Sequence, residues 1–134
     1  MILLTFKAPS RPLSENESRR LHWASRKRRL QDWGTLTQVA WKHADQKDKQ
    51  TIEDQKVQIR VTLPFPRKAR RDPHNYVGTN VKCIIDALVR AGAFEDDTPD
   101  YVEVLEPRLS IDPTDEVHIA IIPIGRNTRR KTAQ

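Results

Sequence analysis

Between Lys56 and Leu63 the chain alternates. Val57, Ile59, Val61 and Leu63 fall on one side, and Lys56, Gln58, Arg60 and Thr62 on the other. A period of two is the mark of a strand with one buried face. Beyond a basic loop the period changes. Val77, Val81, Ile84, Ile85 and Leu88 make an apolar stripe at helical spacing, with Lys82, Asp86 and Arg90 on a different face. A strand and a helix so close together, each with one side to bury, satisfy each other by packing helix on sheet.

The rest of the chain extends that pattern. Ile2 to Phe6 reads as a short strand ended by Pro9, and residues 9–20 read as loop. A basic stretch follows, with Arg19, Arg20, Arg26, Lys27, Arg28 and Arg29. From Ala24 to Asp45 the spacing predicts a helix whose face carries Leu30, Trp33, Thr37, Ala40, Trp41 and Ala44. Gly34 weakens that helix by up to ~1 kcal/mol relative to Ala. Trp33 and Trp41 are available to stack on DNA, but their spacing reads as core. Residues 45–55 form an exposed connection. Pro64 and Pro66 end the strand at 56–63, and Gly92 stops the central helix. Tyr101 to Leu105 and Val117 to Ile122 read as strands joined by a connection over Glu106 to Glu116. The order is strand, helix, strand, helix, strand, strand. It predicts an α/β (α+β) domain with a small mixed sheet and two main helices.

A chain of 134 residues is one domain by size, placed here at 1–125 with a basic, flexible tail at 126–134. The net charge of +6 favours an anionic partner, nucleic acid above all. Cys83 is the single cysteine, which rules out an internal disulfide and a cysteine-based zinc site and fits a reducing cytoplasm. No apolar run approaches the ~20 residues of a membrane span, and the first residues lack the basic start of a signal peptide.

The chemistry concentrates between Arg67 and Asp97. Arg67, Lys68, Arg70 and Arg71 stand beside Asp72 and are placed to hold phosphate. Magnesium takes hard oxygen ligands, commonly one or two protein carboxylates completed by water and phosphate, and it promotes phosphodiester hydrolysis. Asp72, Asp97, Lys82 and Asp86 are groups of the right type. Blander readings compete with each. Asp72 followed by Pro73 suits a helix cap, Asp96–Asp97 an acidic turn, and Lys82–Asp86 a surface pair. Geometry adds a condition. An unbroken helix from Pro73 to Ala91 would separate its ends by roughly 27 Å, and residues 92–97 reach at most about 20 Å. A metal site shared by Asp72 and Asp97 therefore calls for a regular helix that starts late, near Thr79.

The same residues resemble the core motif of the RusA family of Holliday junction resolvases, crossover junction endodeoxyribonucleases often encoded by phages and prophages. Asp72 and Asn75 match its opening, Lys82 and Asp86-Ala87-Leu88 its middle, and Ala91-Gly92 and Asp96-Asp97 its end. The match spans about a fifth of the chain. The resemblance implies a magnesium-dependent endonuclease that works as a homodimer on four-way DNA junctions in recombination and repair, in bacterial or phage-infected cytoplasm. It implies that Asp72 and Asp97 bind metal and that Lys82 assists at the phosphate. Two departures stand out. His74 replaces the family's second acid and suits manganese better than magnesium, leaving Asp86 or Asp96 to supply the missing charge. About four extra residues, Tyr76 to Thr79, lie between Asn75 and Lys82.

The expected DNA contacts are Arg67, Lys68, Arg70, Arg71 and Lys82, with Arg26 and Arg28 from the earlier basic stretch. The expected metal ligands are Asp72, Asp97, His74 and Asp86, and the expected catalytic groups Asp72, Asp97 and Lys82. Two other readings remain open: a branched-DNA-binding protein of the same fold without catalysis, and a basic structural or interaction protein whose acids are caps.

Overall fold

A computed structural model describes residues 1–126. The expected tail therefore lies outside the described residues, apart from Arg126. The fold is α+β, an open five-stranded mixed sheet with helices against it. The elements are β1 (Ile2–Lys7), α1 (Glu15–Arg20), α2 (Trp23–Lys42), α3 (Gln46–Gln50), β2 (Gln55–Phe65), α4 (Lys82–Arg90), β3 (Val102–Val104), β4 (Arg108–Ile111) and β5 (Glu116–Arg126).

Strand β5 runs antiparallel to both β1 and β2, so β1 and β2 are parallel. On its other edge β2 pairs in parallel with β3 through Val57–Ile59 and with β4 through Thr62–Phe65. Helix α2 thus connects parallel β1 and β2, and α4 connects parallel β2 and β3. Each crossover helix returns against its strands, so α2 and α4 run parallel and begin at the same end of the sheet. Contacts agree: the Cys83 thiol donates to the Leu30 carbonyl (2.8 Å). A Cβ on Gly34 would lie 3.4 Å from the Cys83 sulfur and 3.8 Å from the Ala87 Cβ. Gly34 costs helix propensity, and the close seat of α2 on α4 is what its missing side chain permits.

The alternation in β2 is realised: Val57, Ile59, Val61 and Leu63 are buried, facing a core that includes Trp33, Ile84, Leu88, Val117, Ile119 and Ile121. Trp33, Thr37 and Trp41 are the buried face of α2. No helix among the described residues is long and apolar enough to cross a membrane.

Several local expectations change. Part of the supposed loop at 9–20 is α1, capped by Ser14, whose hydroxyl accepts from the Glu17 amide (3.1 Å). Helix α3 interrupts the connection at 45–55, capped by Asp45. Strand β2 continues through Pro64. Its pairing with β5 ends at Thr62, so one side of β2 is unpartnered there and the missing proline N–H breaks no ladder. Strand β4 lies within the supposed connection after Glu106.

The central helix is the largest departure. Asp72 caps a 3-10 turn at Pro73–Tyr76, a π turn covers Val77–Val81, and only then does α4 begin at Lys82. The regular α-helix does start late, but the chain is already coiled from Pro73, so the shortening is partial. The π turn buries Thr79, Asn80 and Val81 in succession. Asn80 accepts the Leu13 amide through Oδ1 (2.7 Å), and the Thr79 hydroxyl donates to the Leu13 carbonyl. These bonds clamp the N-terminal segment to the start of the central helix. A Cβ on Gly78 would collide with the Glu15 carboxylate, so α1 rests directly on this turn.

Candidate nucleic-acid interface

The loop that leaves β2 crosses towards the β4 edge and makes a cleft of about 510 Å³. Its walls carry cations from two sources. Lys68 and Arg71 come from the basic loop, and Arg60 and Arg108 from β2 and β4; Pro73 and Glu106 stand beside them. Among the described residues the ion pairs within 4.0 Å are His74–Glu106 and His118–Glu116. None of the cleft's four cations is therefore matched to a carboxylate there, and all four are available to an outside anion.

Arg71 is held in place. Its Nη1 donates to the Arg67 carbonyl (2.9 Å), and its guanidinium lies 4.0 Å from the Phe65 ring centre. Phe65 in turn packs edge-on against Tyr76, with ring centres 5.4 Å apart. Burial pushes the Tyr76 phenol above its ordinary value, and the nearby Arg71 guanidinium partly offsets this. Arg67, Lys68 and Arg70 are exposed.

At one margin of the cleft is the turn that carries Asp72 and His74. The Asp72 carboxylate accepts the His74 amide (3.0 Å), the capping role allowed for it. The His74 imidazole lies 3.9 Å from the Glu106 carboxylate. Glu106 is a partner the sequence did not disclose, because Pro107 interrupts that edge and disguises both the strand and its residues. Arg60 and Arg108 were missed for a related reason. An outward-facing arginine on a strand looks like ordinary surface until the loop is seen to fold over it.

Other expected site residues lie elsewhere. Lys82, Asp86 and Arg90 line a groove of about 490 Å³ between α2 and α4, together with Lys27. Lys82 thus faces a second basic recess rather than the cleft. Of the earlier basic stretch, Lys27 reaches this groove, Arg28 is exposed and Arg26 half-buried. Arg29 is used internally, donating to the Arg11 carbonyl (2.7 Å). Asp97 is exposed in the turn that enters β3, its amide donating to the Asp96 carboxylate (2.7 Å). Asp72 leaves β2 at one end of the sheet, and the chain enters β3 from the other. Among the described residues no three histidine, cysteine, aspartate or glutamate side chains gather as a metal-holding group. The imidazole of His74 and the carboxylate of Glu106 are 3.9 Å apart, whereas Asp72 meets His74 only through the backbone amide it caps. An ion here would draw most of its ligands from substrate phosphate and water, with one or two protein carboxylates.

No protein-family model matches the chain, and no curated protein matches it either.

Proposed function

We propose that this protein is a metal-dependent endonuclease that binds four-way DNA junctions as a homodimer, in the manner of the RusA resolvases its central motif resembles. The observation that carries the reading is the cleft: four cations without an ion pair among the described residues, beside a turn bearing Asp72 and His74, with Glu106 next to the imidazole. Phosphates would be held by Arg60, Lys68, Arg71 and Arg108, which sets a phosphodiester beside the acids. Asp72, and His74 with Glu106 beside its imidazole, are the donors at this margin of the cleft that a magnesium or manganese ion could use; Asp97 stands at the other end of the sheet and is not one of them. When bound, such an ion lowers the pKa of a water and offsets charge on the phosphate. A two-fold dimer suits the near two-fold symmetry of a junction, offering each of two strands an equivalent site.

The test is cleavage of a labelled four-way junction in magnesium and in manganese, with Asp72→Asn in parallel. Asparagine keeps an oxygen that can cap the 3-10 turn, so this substitution removes charge without removing the cap. Symmetric nicks that disappear in the variant, with binding retained, are the expected result. Undiminished cleavage by the variant would refute the assignment of Asp72. A second reading, a junction-binding protein without catalysis, is favoured by His74 standing where the family pattern has an acid. Tight binding with no nicks in either metal would establish it.

A further inference from the structure

The fold buries or half-buries the phenylalanines, the tyrosines and two of the tryptophans, but it leaves Trp23 62% exposed. Trp23 is the first residue of α2. His22 caps the helix, its Nδ1 accepting the Ala24 amide (3.3 Å), and its ring lies 5.7 Å from the Trp23 ring at a 33° tilt. The indole is thus an apolar plate presented at a defined place. Its surroundings are cationic. Arg26 and Lys27, three and four residues on, share its side of the helix, and Arg19 and Arg20 close α1 just before it.

Its place in the fold matters most. Because α2 and the coil leading into α4 start at the same end of the sheet, Trp23 stands at the end that carries Asp72, His74 and the basic loop. An exposed aromatic among cations is the pattern that binds nucleobases, the ring stacking on a base while the cations hold flanking phosphates. A continuous duplex keeps its base faces stacked on one another and offers none to an indole. A branch point does.

We propose that Trp23 stacks on the exposed face of an unstacked base pair at the branch point of the bound DNA. This rests on the nucleic-acid reading above and adds a specificity device to it: the cleft holds any backbone, and Trp23 favours DNA with an exposed base-pair face.

The experiment compares wild type, Trp23→Ala and Trp23→Phe on a four-way junction and on a linear duplex of the same sequence, over a salt series. A 2-aminopurine at the branch point reports stacking. Trp23→Ala should weaken junction binding by roughly 5- to 150-fold, the range that loss of one stacked base supports. Duplex affinity should be unchanged. The salt slope should also be unchanged, because stacking releases no counterions. Trp23→Phe should keep most of the affinity, and 2-aminopurine should be quenched by wild type and Trp23→Phe but not by Trp23→Ala. If wild type binds junction and Trp23→Ala binds it equally well, the stacking role is overturned while the cleft reading stands. If wild type binds neither DNA, both fall. If Trp23→Ala loses affinity and also sediments as a smaller species than wild type, Trp23 belongs to a protein contact and the stacking role is again overturned.

Discussion

Arg60 and Arg108 provide the sharpest test of the cleft, because nothing but the fold connects them to the basic loop. Each phosphate neutralised on duplex DNA contributes about 0.9 to the slope of log affinity against log salt. Four cations in one cleft thus contribute about 3.6. Raising salt from about 50 to about 200 mM would then weaken their share of binding by roughly 150-fold. Replacing Arg60 and Arg108 together by glutamine should lower the slope by about 1.8 and cut that share to roughly 12-fold. The change should be gentle on the fold. Both side chains line the recesses of the sheet's outer side, neither is ion-paired among the described residues, and glutamine keeps much of the stem. The assay is fluorescence anisotropy of a labelled junction at four salt concentrations, with Arg70→Gln as a loop comparison. Arg71→Ala is the wrong comparison, since it also removes the stack on Phe65 and destabilises the loop. An unchanged slope in the Arg60/Arg108 double variant would refute the cleft as the phosphate site, whatever became of the affinity at a single salt concentration.

Asn80→Ala should lower stability by about 1–3 kcal/mol, because the buried Leu13 amide loses its acceptor; a urea midpoint within error of wild type would dismiss the clamp. Burial holds the Cys83 thiol and the Tyr76 phenol above their ordinary values of 9.0 and 10.0. The native state therefore holds these protons more tightly than the unfolded chain does. The stability they contribute is present below those ordinary values and is lost as pH rises through the folded ones. Urea midpoints should fall as pH rises past the ordinary thiol and phenol values, with a smaller fall in Cys83→Ala; equal falls would remove the thiol from the account. Glu106→Gln should reduce junction cleavage while leaving binding in place, and Asp97→Asn, at the other end of the sheet, should leave cleavage unchanged. Lost cleavage in Asp97→Asn would show that its turn does join the site, and full cleavage by Glu106→Gln would remove Glu106 from it.

What the sequence disclosed was whatever periodicity encodes. The alternation of Val57 to Leu63 and the spacing of Trp33, Thr37 and Trp41 are the fold's own burial pattern, because a regular element with one buried side must repeat at its own period. The short elements escaped for the converse reason. Helices α1 and α3 are too short to display a period, and α1 is held by Ser14 and by its seat against the central coil rather than by an apolar stripe. Pro64 looked terminal because a proline is costly inside a ladder. Whether a ladder exists on both sides at that point depends on where β5 stops pairing, which is not a local property. The interface divided along the same line. The loop cations are contiguous and legible, whereas Arg60, Glu106 and Arg108 become neighbours of that loop only through strand pairing and the path of residues 66–73.

The topology gives these pieces a common cause. Two crossover helices between parallel strands must both begin where their strands end. The N-terminal turns of two helical segments therefore face the same end of the sheet, capped by His22 and by Asp72, and each carries a partial positive charge. That end also receives the loop leaving β2, which is where the chain places Arg67, Lys68, Arg70 and Arg71. Backbone and side-chain charge thus reinforce each other, in the region where open sheets with parallel strands characteristically bind ligands. Asp97 enters its strand from the opposite end, so it gains nothing from this convergence. Asp72, His74 and Glu106 share in it directly. If a single ion and a single phosphodiester meet on this surface, they meet at the carboxyl end of β2, without Asp97.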